Sequence, residues 1–153
     1  MFGDVVVGGM QLNEYGQIVH EYFQNISDKF QNVKNEFIIM PNHVHGIIII
    51  EPDDVGVIHV GAIHELPLRN ASPSELKTQR RKMLLPKIVG WLKMNSAKHI
   101  NKTRNMHGVP LWQRNYFEHI VRDEDDMNRI RQYIINNPVR WDEDENNPRN
   151  IKK

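Results

Sequence analysis

The feature that most constrains this chain is a short histidine segment between two apolar, β-branched runs. The runs FIIM and IIII flank Pro41–Gly46, whose sequence is PNHVHG. This pattern predicts a strand, a tight irregular turn and a second strand. Because alternate strand residues point to one face, we expect His43 and His45 to present adjacent imidazoles, with Val44 turned into the core. Such a pair is half of a metal site, although surface histidines that bind nothing are also common.

Length and composition exclude several classes of protein. The 153 residues suit a single domain with its own core. The chain has no cysteine, which excludes a disulfide framework and a thiolate zinc site. No apolar run approaches membrane-spanning length, and the first residues lack the pattern of a signal peptide. We therefore expect a cytoplasmic protein with no membrane partner.

Charge is unevenly distributed along a nearly neutral chain. The formal net charge is +1, yet ten basic residues and one acid, Glu75, lie between Arg69 and Arg104. A block of this kind suggests a surface that faces a polyanion. A solvated helix face of no special function fits the same pattern, and the sequence leaves the two interpretations open.

The first half of the chain predicts a helix followed by the strand pair. Apolar residues recur at three- and four-residue steps over residues 12–26, as in an amphipathic helix of about four turns. The strand pair around the histidines follows. Residues 52–86 contain several prolines and glycines and are interpreted as a loop insertion.

The second half predicts a helix, a strand and a helix. Pro86 can open the second helix from its first turn, and the aromatic-rich Leu111–Val121 segment is expected to be a strand. Asp123 can cap the third helix, which should end at Asn137 before Pro138.

These elements together predict an α+β fold, with an antiparallel sheet and helices packed on one face. We assign residues 1–141 to this domain and residues 142–153 to a flexible tail.

The third helix carries a second group of candidate site residues. Tyr133 and Asn137 are four residues apart and project from one face of the helix. A tyrosine at a helix edge is often half-buried packing, and an asparagine in the last turn is often a cap. Their spacing alone does not decide between these roles and a functional one.

Two motifs together resemble a known family. The PNHVHG segment is followed about ninety residues later by Tyr133–Pro138 (YIINNP). This pair resembles the single-tyrosine HUH transposases, and more narrowly the REP-associated tyrosine transposases and related insertion-sequence transposases. Leu111–His119 (LWQRNYFEH) and Ile130–Tyr133 (IRQY) are also similar to that family. The resemblance covers most of residues 1–141.

The resemblance implies a ferredoxin-like or RRM-like HUH fold and a DNA strand-transfer activity. His43 and His45 would match the family's metal-binding histidines, with Asn137 at the position of a third ligand and Mg²⁺ or Mn²⁺ as the metal. Tyr133 would match the nucleophile that attacks single-stranded DNA, leaving a 5′-phosphotyrosine and a free 3′-hydroxyl. The family recognises DNA hairpins.

A DNA partner would give the basic block a role. Its side chains could hold backbone phosphates without reading sequence. Trp112, Tyr116 and Phe117 could stack on unpaired bases or pack in the core, and Tyr116 is a reserve nucleophile. The candidate DNA-binding residues are Lys87, Lys93, Lys98, Lys102, Arg104 and Arg114.

The start of the chain departs from the family pattern. That pattern has a further strand before the segment that starts this chain, so we expect an absent strand and an exposed sheet edge that favours a homodimer.

Two rival functions remain open. The first rival is a non-catalytic nucleic-acid-binding module on the same fold. The second is a metal-dependent hydrolase, disfavoured because Glu36 and Glu51 are the only carboxylates near the histidine pair in sequence.

Overall fold

The computed structural model describes residues 1–51 and 83–150. The predicted insertion therefore lies outside the described residues as far as residue 82. The strands are β1 (Gly3–Val6), β2 (Gly9–Leu12), β3 (Val33–Ile39) and β4 (Val44–Ile50); the helices are α1 (Glu14–Gln24), α2 (Ile26–Lys29), α3 (Leu84–Thr103) and α4 (Glu124–Asn136), followed by a 3₁₀ turn at Trp141–Glu143.

The chain begins with a small antiparallel hairpin that was not predicted from the sequence. Strands β1 and β2 pair with Val6 opposite Gly9. The connecting residues Val7 and Gly8 have φ values of 51° and 71°, as a two-residue type I′ turn requires. Phe2, which is buried, donates its N–H to the Pro41 carbonyl at 2.7 Å. The β1–β2 hairpin is thus joined to the turn that carries His43.

Helix α1 confirms the predicted amphipathic helix. Asn13 caps it by accepting the Gly16 N–H at 3.0 Å. Its apolar face is buried, and the Phe23 ring stacks on Phe37 of β3 with centroids 4.6 Å apart. Burial of these rings fixes α1 against one face of the β3–β4 hairpin.

The predicted strand pair is present as β3 and β4. They are antiparallel, with Ile38 opposite His45 and Glu36 opposite Ile47. Directly opposed residues share a face, so Glu36, Ile38, His45 and Ile47 lie on the side away from Phe37 and α1. This second face receives α4, whose Arg131 forms an ion pair with Glu36.

The predicted α+β class is confirmed, with a difference in how the helices are arranged. Helices α1 and α3 share one side of the β3–β4 hairpin, and α3 packs on α1 through a core that includes Ile88, Leu92 and Ile100. Helix α4 lies on the other side. The described strands form two separate two-stranded sheets, β1–β2 and β3–β4.

The start of α3 corrects one predicted boundary. The helix begins at Leu84, so Pro86 lies in its first turn, where a missing backbone N–H costs little. Residues 84–86 therefore belong to the helix and not to the insertion.

The predicted strand at Leu111–Val121 is wrong. No residue of this segment is in a strand, since the described ladders pair β1 only with β2 and β3 only with β4. Instead, the Lys93 ammonium donates to the Gln113 and Asn115 carbonyls at 2.9 and 3.0 Å. The aromatic composition reflected strand propensity, but a strand requires a paired neighbour.

Helix α4 has the predicted ends. The Asp123 carboxylate accepts the Asp126 N–H at 2.8 Å at the start of the helix. The helix ends at Asn136, with Asn137 as its C-cap before a buried Pro138. Ile134 is buried against the fold.

The residues after α4 fold back on the chain. The predicted division at residue 141 stays a prediction, but residues 141–147, here called the C-terminal segment, contact the core domain. The Asn42 side chain donates to the Asn146 carbonyl at 2.7 Å. Asn147 is buried and donates to the Trp141 carbonyl at 2.9 Å.

None of the described helices has the length and apolar character needed to cross a membrane.

Candidate metal and nucleophile site

Two imidazoles converge at the start of β4. His43 closes a turn of residues 40–43, here called the histidine turn, in which the Met40 N–H donates to the His43 carbonyl at 2.9 Å. His45 follows one pleat later in β4. Their Nε2 atoms are 2.9 Å apart, with ring centroids at 4.6 Å and the rings nearly perpendicular.

This separation fits two ligands of one ion. Donors at right angles around an ion, each about 2.1 Å away, are about 3.0 Å apart. The histidine turn and the first strand residues therefore hold both ring nitrogens where a small divalent cation could bridge them.

The surroundings keep both imidazoles neutral. Burial lowers the pKa of His43, and the negative charge of the nearby Asp144 carboxylate offsets part of this shift by raising the pKa. Burial, with a smaller contribution from His43, lowers the pKa of His45 to about 4. Neutral imidazoles carry the lone pair that a metal ligand needs, so the pair is competent to bind at neutral pH.

Asp144 joins the two histidines. Its carboxylate and the two imidazoles offer one ligand atom each, all within 4.8 Å of one another. Only Glu36 and Glu51 lie near the pair in sequence, and Asp144 was missed because nothing local marks it among the acids of the tail. Of the two nearby glutamates, Glu36 is paired with Arg131 and Glu51 with Lys34.

The side-chain oxygen of Asn137, the third ligand that the family resemblance implies, has an unusual environment. Its side chain is 4% exposed, and the Oδ1 atom finds no hydrogen-bond partner among residues 1–51 and 83–150. A buried carbonyl left unpaired costs about 1–3 kcal/mol. Mg²⁺ and Mn²⁺ prefer oxygen ligands. The carboxylate of Asp144, which lies in the histidine cluster, is such a ligand, and the amide oxygen of Asn137 is of the same chemical type.

Tyr133 lies on the histidine side of the hairpin. Its ring is 5.1 Å from that of His45, at an interplanar angle of 80°, and the residue is 51% exposed. The helix that carries it is tied to β3 by Arg131, whose guanidinium grips both oxygens of Glu36. Tyr116, the reserve nucleophile, instead lies in residues 111–121, here called the extended segment, with the Lys93 ammonium over its ring.

The predicted DNA-binding residues occupy three different settings. Lys87, Lys98 and Lys102 are exposed and share one helical stripe, opposite the buried face of α3. Lys93 and Arg104 lie at the helix edge and bond within the chain, Arg104 to the Asn101 side chain. Arg114 is exposed on the extended segment.

Comparisons with known proteins identify the family. The sequence profile described as "Transposase IS200 like" matches residues 76–137, which include Tyr133 and Asn137. An uncharacterized protein of Haemophilus influenzae (strain ATCC 51907 / DSM 11121 / KW20 / Rd) is 36% identical over 146 residues, covering 95% of this chain and 76% of the relative. No solved structure matches the chain.

The chain that gives this match is an α+β domain in which two converging histidines lie beside a tyrosine carried on a helix. The chain belongs to the IS200-like transposase family. Membership indicates a transposase-like protein with DNA as its partner.

Proposed function

We propose that the protein cleaves and rejoins single-stranded DNA, using a divalent metal and Tyr133 as the nucleophile. The observation that carries this proposal is the position of the Tyr133 ring, 5.1 Å from one of two imidazoles whose Nε2 atoms converge. A nucleophile on one element and a metal site on another then face the same space.

The metal would be held by His43 and His45, with an oxygen ligand from Asp144 or Asn137. When bound, Mg²⁺ or Mn²⁺ supplies positive charge that offsets the negative phosphate and orients it. Mutagenesis of Asp144 and Asn137 would identify the residue that completes the ligand set. The Asp144 carboxylate lies in the histidine cluster, and the Asn137 amide oxygen is buried with no partner among the described residues.

Tyr133 would perform the transfer. Its phenolic oxygen forms a bond to the scissile phosphorus while the bond from phosphorus to the 3′-oxygen breaks. The phenol gives up its proton, and the departing 3′-oxygen gains one to become a free hydroxyl. The phosphate ester stays on the enzyme as a 5′-phosphotyrosine, so a later 3′-hydroxyl can reverse the step without ATP. Half exposure of the tyrosine suits a group that must meet a large DNA substrate.

The direct test is a covalent adduct. The protein is incubated with Mn²⁺ and a single-stranded DNA library of hairpins with flanking single strands, then analysed by denaturing gel and mass spectrometry. We expect an adduct that maps to Tyr133 and that Tyr133→Phe abolishes. Tyr116→Phe is the matched control and should retain it. An adduct that persists in Tyr133→Phe would contradict the assignment.

The Asp144 carboxylate also makes a metal-dependent hydrolase a concrete rival. Such an enzyme activates water, so it would cleave DNA without an adduct and would tolerate Tyr133→Phe. Salt-sensitive DNA binding without cleavage in Mg²⁺ or Mn²⁺ would instead favour a non-catalytic binding module. The adduct assay and a binding assay at several salt concentrations together separate these three outcomes.

A further inference from the structure

Asn42 occupies a position between the histidine pair and the C-terminal segment. On one side its Nδ2 is 2.7 Å from the Asn146 carbonyl oxygen. On the other side its Oδ1 is 2.8 Å from Nδ1 of His43. We propose that Asn42 is a positioning residue of the metal site, which fixes the proton of His43 and ties the ring to the segment that carries Asp144. The proposal rests on the metal site of the proposed function.

The two contacts determine where the His43 proton lies. A backbone carbonyl only accepts hydrogen bonds, so the amide NH₂ of Asn42 must face Asn146. The amide oxygen consequently faces His43, and because that oxygen also only accepts, Nδ1 of His43 must carry the proton. In a neutral imidazole the lone pair is then on Nε2, the nitrogen that faces His45.

The two histidines differ in which ring nitrogen carries the proton. Since Nε2 of His43 is an acceptor, the 2.9 Å contact between the rings requires Nε2 of His45 to donate. His43 is therefore preset as a ligand in the metal-free protein, whereas His45 must move its proton to Nδ1 before its Nε2 can coordinate.

Asn42 also couples the ring to the carboxylate. The Asp144 Oδ1 atom accepts the Asn146 N–H at 2.7 Å and the Asn146 side-chain amide at 3.0 Å. The Trp141 ring lies 6.0 Å from that of His43, and the buried Asn147 holds the Trp141 carbonyl. One short segment thus presents both the carboxylate and the anchor that holds Asn42.

The first test is made without metal or DNA. Long-range ¹H–¹⁵N spectra of the labelled full chain at neutral pH report which nitrogen of each histidine is protonated. We expect the Nδ1–H form for His43 in the wild type and a mixture of tautomers in Asn42→Ala. Asn42→Asp keeps the acceptor but loses the amide donor, so it should preserve the Nδ1–H form while amide hydrogen exchange at Asn146 and Asn147 becomes faster.

The second test measures Mn²⁺ affinity by electron paramagnetic resonance. Loss of a side chain that orients a metal-ligating histidine typically weakens affinity about 10- to 100-fold, and we expect this for Asn42→Ala. Asn95→Ala is the control, because it also removes a 2.7 Å bond from an asparagine amide to a carbonyl, that of Trp91 on α3. It should change neither the His43 tautomer nor the affinity.

An Nε2–H form of His43 in the wild type, or an unchanged tautomer in Asn42→Ala, would overturn the proposal. If the wild type binds no Mn²⁺, the proposed metal-dependent function fails, while the tautomer comparison still decides the role of Asn42 on its own.

Discussion

Arg131 of α4 and Glu36 of β3 form a two-oxygen ion pair across the hairpin face that carries His45. Both side chains are a little over one third exposed. Glu36 faces α4 because it alternates with Phe37, which faces α1. The pair therefore fixes where α4 rests, and with it the distance between Tyr133, two residues after Arg131, and the imidazole of His45.

Removing this pair should affect cleavage more than folding. We expect Arg131→Ala to change the melting temperature little, since partly exposed ion pairs contribute little to stability. Adduct formation should fall by roughly 10- to 100-fold, because a displacement of about 1 Å of a reacting group can cost that much. The double variant Glu36→Arg with Arg131→Glu should recover part of the rate. A rate that stays at the wild-type level in Arg131→Ala would show that α4 needs no such tie.

The same pair gives a pH dependence of stability. Arg131 holds the pKa of Glu36 below its usual value, through the hydrogen bonds first and the charge second. A lowered carboxyl pKa stabilises the fold above the unfolded pKa, and this contribution is lost as the pH falls through the lower folded value. Urea unfolding at about pH 7 and about pH 3 should therefore show a smaller loss for Glu36→Gln than for the wild type. An equal loss in both proteins would contradict the assigned cause.

Local rules predicted the elements whose ends and faces are set by neighbouring residues. The cap at Asp123 and the strand pair around the histidines each depend on interactions within a few residues. Helix α4 also ends before Pro138, although Asn137 keeps the αR conformation that the rule for residues before proline disfavours. Strand Leu111–Val121 failed because pairing is a long-range property. The β1–β2 hairpin was missed although a β-branched run before Gly8 and Gly9 is a recognisable turn signal.

The candidate site shows the same limit. Tyr133 was connected to the histidines by a family resemblance, and the spacing of the two motifs alone left its role open. Asp144 is about one hundred residues from His43 in sequence, and the fold alone brings them together. No periodicity or spacing rule connects residues so far apart, so the carboxylate was assigned to a tail.

Two helical glycines should respond in opposite ways to alanine. A Cβ on Gly16 of α1 would lie 2.1 Å from the Phe2 carbonyl oxygen, whereas one on Gly90 of α3 would meet nothing within 4 Å. We expect Gly16→Ala to lower the free energy of unfolding by about 1–3 kcal/mol through overpacking. Gly90→Ala should raise it by up to about 1 kcal/mol, since alanine is the better helix former. Urea titrations measure both, and a stabilising Gly16→Ala would mean that the N-terminal hairpin does not press on α1.

Metal binding should persist to unusually low pH. An imidazole with the ordinary pKa of about 6.5 is mostly protonated at about pH 5.5, and a protonated ring cannot coordinate. His45, with a pKa of about 4, stays neutral there, and burial also lowers the pKa of His43. We therefore expect Mn²⁺ affinity to fall less between pH 7 and pH 5.5 than the loss of at least about tenfold that a site of two ordinary histidines would show.

His45→Ala should abolish this Mn²⁺ binding. His99→Ala is the control, because His99 is exposed on α3 and packs beside Tyr22. Affinity that falls with the ordinary histidine titration would contradict the claim that burial sets the state of the pair.

The lysines of α3 should separate into DNA-binding and structural groups. Lys98 is exposed on the stripe with Lys87 and Lys102, whereas the Lys93 ammonium holds two carbonyls of the extended segment. If the stripe contacts phosphates, Lys98→Ala should weaken single-stranded DNA binding and reduce the slope of log affinity against log salt by up to about one, with the melting temperature unchanged. Lys93→Ala should lower the melting temperature, because it releases the Gln113 and Asn115 carbonyls. Fluorescence anisotropy at several salt concentrations and thermal unfolding measure the two effects. Wild-type affinity in the combined alanine variant of the stripe would show that this face of α3 does not meet DNA.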